Sequence, residues 1–127
     1  MKTFKWILMT LMLFAGNALA DGVLKPAHGG RMVEAEGYRL ELLISDIHLD
    51  LYVTDHDNHP VAVDKAMGKV TLLTPQGKVE STLSPVGGNQ LAANGQFTNG
   101  NKSAAVIAVD GLKKRLTARL PVDKEKP

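Results

Sequence analysis

Hydrophobic and polar residues alternate through the middle of the chain. In YRLELLIS (residues 38–45), Tyr38, Leu40, Leu42 and Ile44 are interleaved with Arg39, Glu41, Leu43 and Ser45, a period of two that predicts a strand with one buried face. HLDLYVTD (residues 48–55) repeats the pattern, with Leu49, Leu51 and Val53 pointing one way and His48, Asp50, Tyr52 and Thr54 the other. Asp46 and Ile47 alone separate the two runs, so they pair as an antiparallel hairpin in which Glu41 lies roughly opposite Tyr52.

Two further hairpins follow from the turn residues. KVTLLT (69–74) and KVESTL (78–83) flank Pro75-Gln76-Gly77, where Pro presets φ and Gly tolerates a positive one. Residues 103–122 form another, centred on Asp110-Gly111, a dipeptide suited to a type I′ turn. Arg31 to Glu36, Gln90 to Ala93 and Val61 to Val63 are shorter strand candidates. Beyond the first 20 residues, no window keeps a helical period for about ten residues. Seven or eight short strands spaced by turn signals predict an all-β, antiparallel β-sandwich of immunoglobulin-like shape, with a small barrel as the alternative. The expected domain spans residues 21–122, and the charged tail DKEKP (123–127) is expected to fray.

Residues 1–20, MKTFKWILMTLMLFAGNALA, break this rhythm. Lys2 and Lys5 precede an apolar run from Trp6 to Ala15, and Ala18-Leu19-Ala20 supplies an A-x-A cleavage site, the arrangement of a secretory signal peptide. The apolar run is short of the roughly 20 residues that a spanning helix needs. The mature chain is therefore expected to begin at Asp21 and to reside in the periplasm. Removing the leader also changes the charge. Of 15 Lys and Arg, two lie in the signal, so the mature chain balances 13 basic residues against 13 acidic ones. Without net positive charge the electrostatic footprint of a nucleic-acid binder is missing. The chain has no cysteine, which excludes disulfides, a lipobox anchor and thiolate metal ligands. Any metal must be held by nitrogen, oxygen or thioether sulfur. Met32 and Met67, the methionines beyond the leader, are expected to be packing or surface residues rather than a thioether ligand pair.

The densest chemistry lies in DHDNHP (residues 55–60). Asp55, Asp57, Asn58 and Pro60 are turn residues, because short acidic and amide side chains bond their own backbone. Turn formation does not require His56 and His59. Three residues apart on a turn, two imidazoles can converge on one ion, with Asp55 or Asp57 adding an oxygen. Both a plain turn and a metal site remain open on this evidence. A calcium loop is excluded, because its glycine and terminal glutamate are missing from their fixed positions. Catalysis finds no support in the sequence. There is no G-x-S-x-G elbow, no H-E-x-x-H helix and no phosphate-cradling loop leading into a helix, so an enzyme is not expected.

AHGGRM (27–32), EGYRLELLI (36–44), LDLYVTDHDNHPV (49–61), GKVTLL (68–73), GGNQLAANGQF (87–97) and RLTARLPV (115–122) together carry a resemblance. The chain resembles small periplasmic proteins associated with heavy-metal resistance and efflux, whose HGG-containing domain also occurs near the N-terminus of some RND-type metal efflux adaptor subunits. The resemblance implies binding or delivery of a divalent ion, copper, zinc or nickel, and an efflux adaptor subunit as partner. It also brings in His28, which by itself reads as a loop histidine ahead of a strand. In a simple up-and-down order His28 and His48 fall at one end of the first three strands and His56 and His59 at the other, roughly 20 to 27 Å away. A composite site of His28, His56, His59 and Asp55 requires a crossover, and is the expected one because neither segment alone supplies three or four ligands. The functional expectation is a periplasmic metal-binding accessory protein, a buffer or chaperone of a tolerance system. The alternative is a metal-free β-sandwich module that docks on an envelope protein.

Overall fold

The computed structural model describes residues 26–97 and 104–122; the expected signal peptide and charged tail lie outside the described residues. The elements are all strands: β1 (Arg31–Ala35), β2 (Tyr38–Ile44), β3 (His48–Asp55), β4 (Met67–Thr74), β5 (Gly77–Gly87), β6 (Gln90–Asn94), β7 (Ala104–Asp110) and β8 (Leu116–Pro121). They form one antiparallel sheet in the order β1-β2-β3-β6-β5-β4-β7-β8. The end strands β1 and β8 come back alongside one another, so the curled sheet is nearly closed around its core. The all-β, eight-stranded expectation holds. What periodicity does not reveal is the order after β3. The β4-β5-β6 meander is inserted between β3 and β7, giving two overlapping Greek keys.

β5 joins the two layers. Gly77 to Leu83 pair with β4, whereas Ser84, Pro85 and Gly87 pair with β6 across an irregularity between Pro85 and Gly87. A proline cannot donate to a ladder, and a bulge is where a strand tolerates one. The strand bends there from one layer into the other. Between the layers, Leu40, Leu42, Leu49, Leu51, Val53 and Leu91 face Val70, Leu72, Leu83, Ile107, Val109 and Leu116, all 2% exposed or less and all in one cluster. Each such side chain contributes about 1.5–3 kcal/mol by leaving water.

Turn chemistry explains most of the hairpins. Glu36 and Gly37 both take positive φ, 52° and 85°, between the paired Ala35 and Tyr38, a two-residue loop of type I′. β2 and β3 pair as expected, and Glu41 stands opposite Tyr52. Two local expectations are corrected. Val61 to Val63 form no strand; past an isolated Thr54–Pro60 bridge the segment crosses one end of the molecule, Val61 N–H bonding the Val53 carbonyl and Val63 N–H that of Gly88. Fully buried Val63 and 4%-exposed Ala66 close that end of the core. Nor is Asp110-Gly111 a two-residue turn, because Val109 pairs with Leu116 and the loop runs on to Arg115. Gly111 has φ +100°, and a Cβ on it would lie 2.5 Å from the Lys65 carbonyl oxygen. The glycine admits the backbone of the crossing segment.

Candidate functional site

Asp55 ends β3 and organises the loop that follows. Its Oδ1 accepts the backbone N–H of Asp57 at 2.8 Å and of His59 at 2.9 Å. Its own N–H donates to the His59 carbonyl at 2.9 Å, and its carbonyl accepts the Asn58 N–H at 3.0 Å. Asn58 sits in the left-handed region, φ 69°, which short amide side chains tolerate, and its Oδ1 accepts Arg39 Nη1 at 2.8 Å. Bonds from the His59 amide, then the Asp57 amide and the His59 ring, hold the Asp55 carboxyl below its ordinary range. DHDNHP is a turn held by Asp55.

The same turn gathers ligand atoms. Asp55 Oδ2 lies 3.5 Å from His59 Nδ1. Asp57 adds a third atom, all three lying within 4.8 Å of one another. A tetrahedral ion with bonds of about 2.1 Å spaces its ligands about 3.4 Å apart, so the Asp55–His59 pair already fits such an ion. The Asp57 carboxylate stands within 4.8 Å of both ligand atoms. Two oxygens and one imidazole nitrogen suit zinc, copper(II) or nickel. The residues are exposed, His59 at 74% of its side chain, which leaves further coordination positions to water. His56 is turned elsewhere, its Nδ1 3.9 Å from Glu34 Oε2, an atom that also accepts Arg39 Nε at 3.2 Å.

His28 occupies a different place. Ahead of β1 the chain folds back over the outer face of β2 and β3, and Glu41 receives it. Glu41 Oε2 accepts the N–H of His28 at 2.9 Å and of Gly30 at 2.8 Å, while Oε1 lies 3.0 Å from His28 Nδ1. The imidazole stacks on Tyr52, centroids 3.7 Å apart and planes 10° from parallel. Both glycines are needed for this clasp. Gly29 takes φ +80°, and a Cβ on Gly30 would lie 2.6 Å from the Leu42 carbonyl oxygen. Burial pushes the Glu41 carboxyl up, but the bonds from the His28 ring and the Gly30 and His28 amides outweigh it and hold its pKa below the usual value. Burial and the charges of Asp50 and Glu41 raise the Tyr52 phenol, which stays protonated at neutral pH.

Of the expected ligands, the structure brings Asp55 and His59 together and adds Asp57. It does not bring His56 or His28 to them. Tyr52, under the His28 ring, lies three residues before Asp55 in β3, about 10 Å along the strand. No crossover among β1, β2 and β3 shortens that distance, since the three are sequential antiparallel neighbours. No family model, curated protein or solved structure matches the chain. The site therefore rests on its own geometry.

Glu41 alternates onto the polar face of its strand, where a solvated carboxylate is expected, yet it is 4% exposed. Its register opposite Tyr52 was legible; the segment that covers it was not. The fourth histidine, His48, is fully engaged, with Nδ1 2.7 Å from Asn94 Oδ1 and Nε2 3.2 Å from Asp50 Oδ1.

Proposed function

We propose that this protein is a periplasmic accessory protein that binds a divalent transition-metal ion reversibly, buffering it or passing it to an efflux adaptor subunit. The observation that carries the reading is the convergence of Asp55, Asp57 and His59 on one turn, with Asp55 Oδ2 and His59 Nδ1 at the separation of two ligands on one ion. An open, solvent-facing set of three ligands exchanges its ion more readily than a buried four-ligand cage, which suits a carrier. Compartment, partner and membership of a heavy-metal tolerance system come from the leader-like N-terminus and the resemblance described above.

Calorimetry on untagged protein with zinc and with copper(II) tests the reading. About one equivalent should bind at the loop, and His59→Ala and Asp57→Ala should each weaken that binding at least tenfold, about 1.4 kcal/mol. His56→Ala should leave it within a factor of two. Absence of heat with both ions would remove the metal reading and leave a metal-free interaction module.

A further inference from the structure

Glu41 is the one charged side chain buried among the described residues, and its two oxygens are used differently. Oε2 is committed to two backbone amides, those of His28 and Gly30. Oε1 is left to a single partner, the His28 ring at Nδ1. An ionised carboxylate only accepts hydrogen bonds, so the neutral imidazole must carry its proton on Nδ1. Its lone pair is then on Nε2.

Three further observations fix that nitrogen in space. The ring is held flat on Tyr52. The strap behind it is clamped by two glycines that accept no Cβ without strain or collision. The His28 side chain nevertheless stays 42% exposed, and among the described residues no hydrogen bond reaches its Nε2. The other three histidines differ. Both nitrogens of His48 are occupied, while His56 and His59 stand 71% and 74% exposed with loose contacts of 3.9 and 3.5 Å. Histidine ligands characteristically give one ring N–H to a carboxylate and the other nitrogen to the metal, the carboxylate setting tautomer, orientation and basicity.

We propose that Glu41 is a positioning residue that presets His28 as an outward Nε2 ligand for a borderline divalent ion such as zinc or copper(II), at a second site separate from the 55–59 loop. This rests on the reading that the protein meets such ions, but not on the loop being their site. One imidazole leaves three positions of a tetrahedral ion open to water or to donors on another molecule. Such a site suits an ion in passage between carriers.

Glu41→Gln separates positioning from mere support of the strap. The glutamine is isosteric and its single carbonyl oxygen still accepts the His28 and Gly30 amides. Its NH₂ then faces Nδ1, which must become an acceptor, and the proton moves to Nε2. In nitrogen-15 NMR of the imidazoles, His28 should be the Nδ1–H tautomer in the native sequence and the Nε2–H tautomer in Glu41→Gln. Added zinc should shift His28 Nε2 in the native protein, and the apparent affinity at His28 should fall at least tenfold in the variant while the His59 response is unchanged.

An Nε2–H tautomer of His28 in the native protein overturns the proposal without reference to any variant's folding. So does zinc that perturbs His59 alone, an outcome that leaves the loop site standing. Zinc at His28 but not at His59 supports the proposal and removes the loop. Zinc at neither removes both.

Discussion

Glu41 hides a charge on the outer face of a sheet because the chain ahead of β1 supplies three donors to it. Those bonds lower its pKa below that of an unfolded glutamate, about 4.3, and the direction fixes the sign of the linkage. Its stabilisation is complete above the unfolded value and is lost as pH falls through the lower folded one. Urea midpoints should therefore decline as pH drops below about 4, and Glu41→Gln should flatten part of that decline. Asp55 is shifted in the same direction, so the variant should keep the share that Asp55 contributes. Parallel curves for the two proteins would show that Glu41 has no part in acid unfolding. At Asp55 a single carboxylate has two uses, Oδ1 holding the turn and Oδ2 facing His59. Replacing Asp55 therefore confounds turn and site, and for that reason His59 and Asp57 are the informative positions.

Among the hairpins, glycines separate local from tertiary demands. Gly77, φ +137°, meets nothing within 4 Å of a built Cβ, so only its own conformation resists a side chain. Gly111, φ +100°, meets the Lys65 carbonyl and the Ala66 Cα as well, at 2.5 and 2.8 Å. Alanine at Gly111 should cost more than about 1 kcal/mol in urea unfolding, and more than alanine at Gly77. Equal losses would mean that the loop yields and the crossing segment does not depend on it.

In the whole molecule the turn at Asp55 and the clasp at Glu41 hang on one hairpin, β2–β3, whose inner face puts Leu40, Leu42, Leu49, Leu51 and Val53 in the core. Their geometry is thus held by a hairpin anchored in the core, while Asp57 and His59 stay exposed. Reversible metal capture on such a surface is governed by protonation. If the proposed function holds, affinity should collapse between about pH 7 and pH 5, because a ligating imidazole must be neutral. Titrations at several pH values check this. Binding indifferent to that range would assign the ion to Asp55 and Asp57 alone and exclude His59 and His28.

Much of this was legible in one dimension. The period of two in residues 38–55 determined β2, β3, their pairing and the Glu41–Tyr52 register, because alternation fixes which side chains share a face. Asp, Asn and Pro determined that residues 55–60 turn, because those side chains act on their own backbone. Only the tertiary structure decided the rest. The place of β6 beside β3, the bend of β5 between layers and the crossing of Val61 to Ala66 depend on contacts distant in sequence, for which a local pattern carries no signal. The same is true of His28. Thirteen residues separate it from Glu41, and nothing in HGG announces the carboxylate that receives it. The folded turn likewise groups Asp57 with Asp55 and His59, while His56 lies toward Glu34, a partner from a distant part of the chain.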